Sequence, residues 1–132
     1  MFEITLEETF AAGHALRGYK GKCENTHGHN YKVVVALRGT ELDKVGLLYD
    51  FVELKKRMAE VIQSLDHVYL NDIAPFTEIN PSAENIARYF YEQLVKLLPD
   101  APNGSCLSHV TIFETDTTTA TYRPNGAPHN QA

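Results

Sequence analysis

The sequence has no tryptophan, only two cysteines and no block of like charges. Two cysteines, Cys23 and Cys106, are too few for the disulfide framework of a small secreted domain, and free thiols suit a reducing compartment, so we expect a cytoplasmic protein. Lys and Arg together number 12 against 17 for Asp and Glu, which gives a net charge of −5. This balance argues against a nucleic-acid coat or a protein that binds anionic membranes.

Long apolar runs are also missing. No run approaches the roughly 20 residues that a membrane-spanning helix needs, and residues 1–5 lack the basic region and apolar stretch of an export signal. The 132 residues, of which 43% are hydrophobic and 22% charged, suffice for one domain with its own core. We assign this domain to residues 1–122 and expect residues 123–132, which have no apolar periodicity, to form a flexible tail.

The hydrophobic pattern predicts an α+β chain. The expected strands cover residues 2–12, 29–38, 109–114 and 119–122, with a further short extended run at 46–51. The expected helices cover residues 52–65 and the stretch from about residue 80, where Asn80 is a candidate cap, to the residue before Pro99. We expect a four-stranded antiparallel sheet with two helices on one face. Its two open edges favour an oligomer that forms by sheet extension.

Three of the six histidines, His14, His27 and His29, lie within sixteen residues. Residues i and i+2 of a strand point to the same face, so His27 and His29 can converge on one ion, and His14 supplies a third imidazole if the first two strands pair. Three imidazoles with an open fourth position are typical of catalytic zinc. The alternative is three separate structural histidines, but a His-x-His pair with a nearby third is rarer by chance, which favours a metal site.

Cys23 lies four residues before His27, and the spacing leaves its role open. A Cys23 thiolate bound to the ion would close a structural site. An unligated thiol beside a divalent cation would ionise readily and act as a base or nucleophile. An inert, half-buried thiol is the third alternative, and it is the one we expect for Cys106.

Two carboxylates are also candidates for the site. Asp66 precedes His67, and a carboxylate that orients a histidine is a recurrent arrangement for proton transfer; the alternative is a histidine favoured by the end of a helix. Glu114 ends a predicted strand, where it could bind an amidine-like edge through paired hydrogen bonds or be an ordinary surface acid.

Seven spaced motifs occur in order between about residues 2 and 122: Phe10-Ala11-Ala12-Gly13-His14, Cys23 with His27-Gly28-His29, Asp50-Phe51, Leu65-Asp66-His67, Leu70-Asn71, Asn80-Pro81-Ser82-Ala83-Glu84-Asn85 and Glu114-Thr115. Together they resemble the 6-pyruvoyltetrahydropterin synthase family, and most of all its bacterial 6-carboxytetrahydropterin synthases. The agreement of seven motifs is far more specific than the His-x-His pair alone.

The resemblance implies the tunnelling fold, in which trimers join their sheets as a barrel and two trimers stack as a homo-hexamer. It implies Zn²⁺ on the three histidines and 7,8-dihydroneopterin triphosphate as substrate, with the pterin held by Glu114 and by groups around Ser82. By the same likeness, Cys23 abstracts a proton instead of binding the metal, and Asp66 with His67 completes the acid/base set.

The resemblance leaves the product open. The bacterial branch forms 6-carboxytetrahydropterin, acetaldehyde and triphosphate on the route to 7-deazaguanine and queuosine, whereas other members form 6-pyruvoyltetrahydropterin. Some members use a glutamate in the Cys23 region to cleave the side chain to 6-hydroxymethyl-dihydropterin for folate synthesis. Glu24 stands there in this sequence. It either gives such an activity or points to solvent.

Two further interpretations concern charge and class. The cations Arg17, Lys20 and Lys22 would offset the charge of a triphosphate, although loop charges are usually only solvated. A zinc-stabilised binding protein without turnover is the alternative from another class. Such a protein has no need for the thiol, acid and histidine of Cys23, Asp66 and His67, so their joint presence favours an enzyme.

Overall fold

The computed structural model describes residues 1–18, 25–99, 101 and 103–125. The elements, in chain order, are β1 (Phe2–His14), β2 (His27–Gly39), α1 (Phe51–Gln63), β3 (Val68–Tyr69), a 3₁₀ turn (Leu70–Asp72), α2 (Ala83–Leu97), β4 (Cys106–Phe113) and β5 (Thr119–Tyr122). Across these residues, no helix combines the length and apolar character needed to cross a membrane.

The sheet has the order β3-β1-β2-β4-β5 among the described residues. The expected antiparallel arrangement holds for the four longer strands, but the expected number of four is wrong because β3 adds a fifth. This two-residue strand pairs parallel to β1, with Val68 opposite Ala12 and Tyr69 opposite Gly13. So short a strand has no periodicity of its own, which is why the sequence pattern did not reveal it.

The short strand expected at residues 46–51 is also wrong. The backbone of this segment makes its hydrogen bonds locally: the Asp43 carboxylate accepts from the Val45 and Leu47 amides at 3.0 and 2.9 Å. Asp50 then caps α1 by accepting from the Val52 amide at 2.9 Å. Aspartate side chains that bind nearby backbone amides compete with strand pairing. In this segment the local hydrogen bonds form and no strand does.

The residue that caps the start of α2 differs from the sequence prediction. Ser82, not Asn80, is the N-cap, and its Oγ accepts from the Asn85 amide at 3.1 Å. Pro81 therefore precedes the helix instead of lying in its first turn. Cys106 also differs from the expectation of a half-buried loop residue, because it is the first residue of β4 and is exposed.

The core lies between one face of the sheet and the two helices. Tyr31, Val33 and Val35 alternate along β2 and are fully buried. The helices bury their apolar stripes in the same cluster, through Leu54, Met58 and Val61 of α1 and Ile86, Ala87, Phe90 and Leu94 of α2. The α+β class is therefore confirmed. The same face of β1 and β2 continues beyond this core to the histidines.

Gly39, the last residue of β2, lies so close to its neighbours that a methyl group there would force them to shift. A Cβ there would lie 2.8 Å from Leu48 Cδ1 and 3.2 Å from the backbone Cα of Ser105. Gly39→Ala should therefore cost about 1–3 kcal/mol of unfolding free energy through overpacking. Urea denaturation measures this loss. Gly28→Ala is the control, because its Cβ would lie 3.8 Å from its nearest neighbour, the Ala12 oxygen; equal midpoints for the two variants would refute the prediction.

Candidate metal and substrate site

The pairing of β1 with β2 brings the three predicted imidazoles together. His14 lies directly opposite His27 in the ladder, and His29 follows two residues later on the same face. The ring centroids of each pair are 4.8 to 5.0 Å apart. A continuous antiparallel register from Phe2↔Gly39 to His14↔His27 fixes this convergence.

Glu114 joins the three histidines. Its Oε1 lies 3.2 Å from His14 Nε2 and 3.5 Å from His29 Nε2. The candidate ligand atoms of His14, His27, His29 and Glu114 all lie within 4.8 Å of one another. The family resemblance implies that Glu114 holds the substrate, and the structure adds that its carboxylate lies beside the histidine cluster.

Backbone carbonyls fix the orientation of two of the imidazoles. His14 Nδ1 donates to the Pro81 oxygen at 2.8 Å, and His27 Nδ1 donates to the Asn25 oxygen at 2.7 Å. A carbonyl oxygen only accepts, so both protons sit on Nδ1. The Nε2 lone pairs of His14 and His27 are thereby left for a cation, which is the usual outer-shell arrangement of a metal-binding histidine.

The donor set fits a divalent metal ion. His14 is 1% exposed, and within the described residues the buried Nε2 atoms of His14 and His29 have no hydrogen-bond partner. The Nε2 lone pair of a neutral His14 faces a carboxylate oxygen, which is repulsive unless a cation lies between them. Burial lowers the pKa of His29, with Glu114 opposing and His14 and His27 adding to the shift, which favours the neutral form that binds metals. Three imidazole nitrogens with a fourth position open to a substrate oxygen are the usual ligand set of catalytic zinc.

Tyr31 packs beneath the histidine cluster, and it was not identified from the sequence as a residue of the site. Its side chain is fully buried, with its ring centroid 5.9 Å from that of His14 and 5.5 Å from that of His29. Burial raises its pKa well above the usual range, so the phenol keeps its proton. The signal was present in the sequence, since Tyr31 continues the i, i+2 series of His27 and His29 along one face.

Asp66 and His67 form the predicted pair. His67 Nδ1 lies 3.0 Å from Asp66 Oδ2, and the other oxygen of Asp66 accepts from the Ala11 amide at 2.9 Å. His67 has a φ of 59°, in the left-handed region, and its side chain is 80% exposed. His67 and His29 both line a shallow cleft of about 610 Å³ beside β3. The helix-end alternative does not apply, because α1 ends at Gln63.

Asp66 gives a pH-dependent prediction. The hydrogen bond from the Ala11 amide, followed by the contact with His67, holds the pKa of Asp66 below its ordinary value of 3.8. A depressed carboxyl pKa contributes stability above the unfolded value, and this contribution is lost as the pH falls through the folded value. Asp66→Asn should therefore lower the urea midpoint at pH 7 and pH 5, and the difference should shrink below about pH 3.8. A pH-independent difference would contradict this cause.

The remaining predicted site residues are either bonded to nearby backbone or lie outside the described part of the chain. The Ser82 hydroxyl caps α2 and lies next in the chain to the carbonyl that holds His14. Arg17 Nη2 donates to the Phe76 and Ile79 oxygens at 2.6 and 2.9 Å, so its guanidinium is engaged by backbone. Four predicted residues lie outside the described part of the chain: Lys20, Lys22, Cys23 and Glu24.

Comparison with known proteins gives a consistent result. The family model for 6-pyruvoyl tetrahydropterin synthase matches residues 3–125. The human 6-pyruvoyl tetrahydrobiopterin synthase is 39% identical over 78% of this chain and 71% of its own length. The 6-carboxy-5,6,7,8-tetrahydropterin synthase of Bacillus subtilis is 33% identical over 93% of this chain and 86% of its own length.

Two solved structures are also similar. The Caenorhabditis elegans 6-pyruvoyl tetrahydropterin synthase superposes with a TM-score of 0.79 at 37% identity, covering 95% of this chain and 98% of its own. A Plasmodium vivax 6-pyruvoyltetrahydropterin synthase, in a form where a catalytic glutamate is replaced by alanine, superposes with a TM-score of 0.72 at 25% identity. That alignment covers 94% of this chain and 98% of the other.

Proposed function

Because the chain belongs to the 6-pyruvoyl tetrahydropterin synthase family, we propose that it is a cytoplasmic, zinc-dependent 6-carboxytetrahydropterin synthase. Its substrate is 7,8-dihydroneopterin triphosphate, and its products are 6-carboxytetrahydropterin, acetaldehyde and triphosphate, for 7-deazaguanine and queuosine biosynthesis. The observation that carries the proposal is the convergence of His14, His27, His29 and Glu114 within 4.8 Å. The Bacillus subtilis relative, similar over 93% of this chain, supports the carboxy product.

His14, His27 and His29 would hold the zinc ion, which supplies a Lewis acid that polarises a substrate oxygen. The orientations of His14 and His27 prepare them for this task, because their Nδ1–H groups donate to the Pro81 and Asn25 carbonyls and leave Nε2 for the ion. A fixed ligand geometry avoids the reorganisation that flexible ligands would need during the reaction.

Glu114 holds the amidine-like edge of the pterin through paired, charge-assisted hydrogen bonds. Since its carboxylate lies within 3.5 Å of His14 and His29, a pterin held at Glu114 lies next to the histidine cluster. Ser82, which follows Pro81 in the chain, is the second residue that we propose for holding the pterin, and the Pro81 carbonyl links this segment to His14.

Cys23 removes the carbon-bound proton, and Asp66 with His67 returns a proton during the later steps. The Asp66 carboxylate accepts from His67 Nδ1 at 3.0 Å, which leaves His67 Nε2 to exchange protons with the substrate. Both carboxylate oxygens of Asp66 accept hydrogen bonds, one from the His67 imidazole and one from the Ala11 amide. The Ala11 bond fixes the Asp66–His67 pair to the backbone of β1.

Two other products belong to the same chemistry. The human relative, 39% identical, favours 6-pyruvoyltetrahydropterin. The Plasmodium vivax 6-pyruvoyltetrahydropterin synthase has a catalytic glutamate, which favours a catalytic role for Glu24. By the family resemblance, the product of such a role would be 6-hydroxymethyl-dihydropterin. Mass spectrometry of the products formed by the zinc-loaded protein from 7,8-dihydroneopterin triphosphate separates these cases. We expect 6-carboxytetrahydropterin and acetaldehyde; either other pterin would reassign the product, and unconsumed substrate would favour a zinc-stabilised binding protein.

We also propose that the chain forms a homo-hexamer of two stacked trimers. In the described residues, β5 forms one edge of the sheet, and β1 is covered by β3 only at Ala12 and Gly13. Residues 2–11 of β1 therefore leave one row of backbone groups for the β5 edge of a second copy, which would extend the sheet into a barrel. Light scattering after size-exclusion chromatography should give the mass of six 14.8 kDa chains, and a monomer would refute the proposal.

A further inference from the structure

Two asparagine side chains hold the chain that follows β1. Asn71 Oδ1 accepts from the Ala15 amide, and Asn71 Nδ2 donates to the Ala15 oxygen, both at 2.9 Å. Asn80 does the same for Arg17, with distances of 2.9 and 2.8 Å. Each primary amide thus pairs with one residue's backbone as a neighbouring strand would.

These two amides bind the backbone just beyond the last residue of β1 that the sheet pairs. The ladder with β2 ends at His14↔His27, and the ladder with β3 ends at Gly13↔Tyr69. Ala15 is only 8% exposed, so its backbone groups need protein partners. Asn71 supplies them. The side chain of Asn71 therefore extends the hydrogen bonding of β1 by one residue past His14.

Asn80 is itself fixed to the helical layer. Asn85, in the first turn of α2, donates from Nδ2 to the Asn80 oxygen at 2.9 Å. The next residue, Pro81, accepts from His14 Nδ1 at 2.8 Å. The same short segment thus holds both the ring of His14 and, three residues later, the backbone of Arg17.

We propose that Asn71 and Asn80 are positioning residues that set the orientation of His14 within the histidine cluster. The proposal rests on the proposed function for its catalytic consequence. Without the two amides, the chain that follows His14 loses four hydrogen bonds. The pairing of His14 with His27, the Pro81 carbonyl and the contacts of the Arg17 guanidinium remain, and they restrain the His14 ring less tightly. A displacement of about 1 Å in a group that organises a reaction can cost about 100-fold in rate.

The chemical identity of the side chain is part of the argument. An amide offers a donor and an acceptor side by side, whereas a carboxylate of the same shape offers only acceptors. Asn71→Asp and Asn80→Asp therefore keep the contact with the backbone amide and turn the second contact, with the Ala15 or Arg17 oxygen, into a repulsion. The substitutions change almost no volume, so cavity effects do not confuse the result.

Asn103 is a matched control within the same chain. Its Nδ2 donates to the Glu41 and Leu48 oxygens at 3.0 Å, and its Oδ1 accepts from the Ser105 amide at 3.2 Å. It therefore ties backbone segments together as Asn71 does. It lies near the end of β2 that is opposite to His27, however, so Asn103→Asp reports the structural cost of losing such a tie without touching the cluster.

The experiment compares the three Asp variants at a temperature below the melting transition of each. We expect Asn71→Asp and Asn80→Asp to lower kcat about 10- to 100-fold with KM changed little, because the loss concerns geometry at the cluster. Asn103→Asp should lower the urea midpoint and leave kcat unchanged. Wild-type kcat in the Asn71 and Asn80 variants, or an equal kcat loss in all three, would overturn the proposal.

A second readout does not depend on turnover. Visible absorption of the Co²⁺-substituted protein reports ligand geometry, and it should change in Asn71→Asp and Asn80→Asp but not in Asn103→Asp. If the wild type does not consume the pterin triphosphate, the proposed function fails while this spectrum still decides the positioning role: unchanged spectra would refute it. Should Asn71→Asp not fold, Asn71→Gln, which keeps both groups but moves them by one methylene, gives the same comparison.

Discussion

Replacing His27 with alanine should abolish the proposed zinc binding and lower turnover of the proposed substrate, 7,8-dihydroneopterin triphosphate, by more than about 10³-fold. A metal acting as a Lewis acid supplies several kcal/mol of transition-state stabilisation, and about 4 kcal/mol corresponds to that factor. His27 is the best ligand to remove because it is half-exposed and its ring contacts the Asn25 oxygen, two residues away. His14 is 1% exposed and tied to Pro81, so its loss would also disturb the start of α2.

The measurement is the zinc content per chain by mass spectrometry of the metal, together with the rate of product formation. His129→Ala is the control, since it removes an imidazole that no prediction assigns to the site. A His27→Ala protein that retains one zinc per chain and the wild-type rate would show that the histidine cluster is not the metal site.

Replacing Cys23 with alanine should lower formation of 6-carboxytetrahydropterin by about 10²- to 10⁴-fold, the range expected for loss of a general base. Glu24→Ala should leave that product unchanged. The two substitutions thus separate the neighbouring candidate bases. Cys106→Ala is the matched control, because it removes an exposed thiol at the start of β4.

The same pair of variants tests the folate-type activity. If Cys23→Ala still forms 6-hydroxymethyl-dihydropterin and Glu24→Ala does not, Glu24 is the base for side-chain cleavage. If Cys23→Ala alone abolishes every product, Glu24 has no catalytic role. A fully active Cys23→Ala protein would remove Cys23 from the mechanism altogether.

The sequence predicted the histidine cluster because its geometry is local to two strands. The period of a strand puts His27 and His29 on one face, and a single pairing adds His14. The family resemblance drawn from spaced motifs is confirmed over residues 3–125. Both predictions, the histidine cluster and the family resemblance, use patterns that can be recognised in the sequence without knowing how distant segments pack.

The parts that the sequence missed depend on such packing. Glu114 reaches the cluster through the pairing of β2 with β4, in which the preceding residue, Phe113, lies opposite Lys32. A period-two pattern shows which face a strand buries, but not which residue of another strand it lies opposite. Likewise, the bonds from Asn71 to Ala15 and from Asn80 to Arg17 join residues 56 and 63 positions apart. No local rule assigns an asparagine to a partner at that distance.

The carbonyls of Pro81 and Asn25, which hold the His14 and His27 rings, belong to the main chain. No codon change deletes a carbonyl oxygen, so alanine scanning of these two positions will underestimate their importance as long as the backbone path persists. A substitution at either position is therefore tolerated if it keeps the backbone conformation, whatever the chemistry of the new side chain. The orientation of both imidazoles is consequently protected against most single substitutions at the residues that provide it.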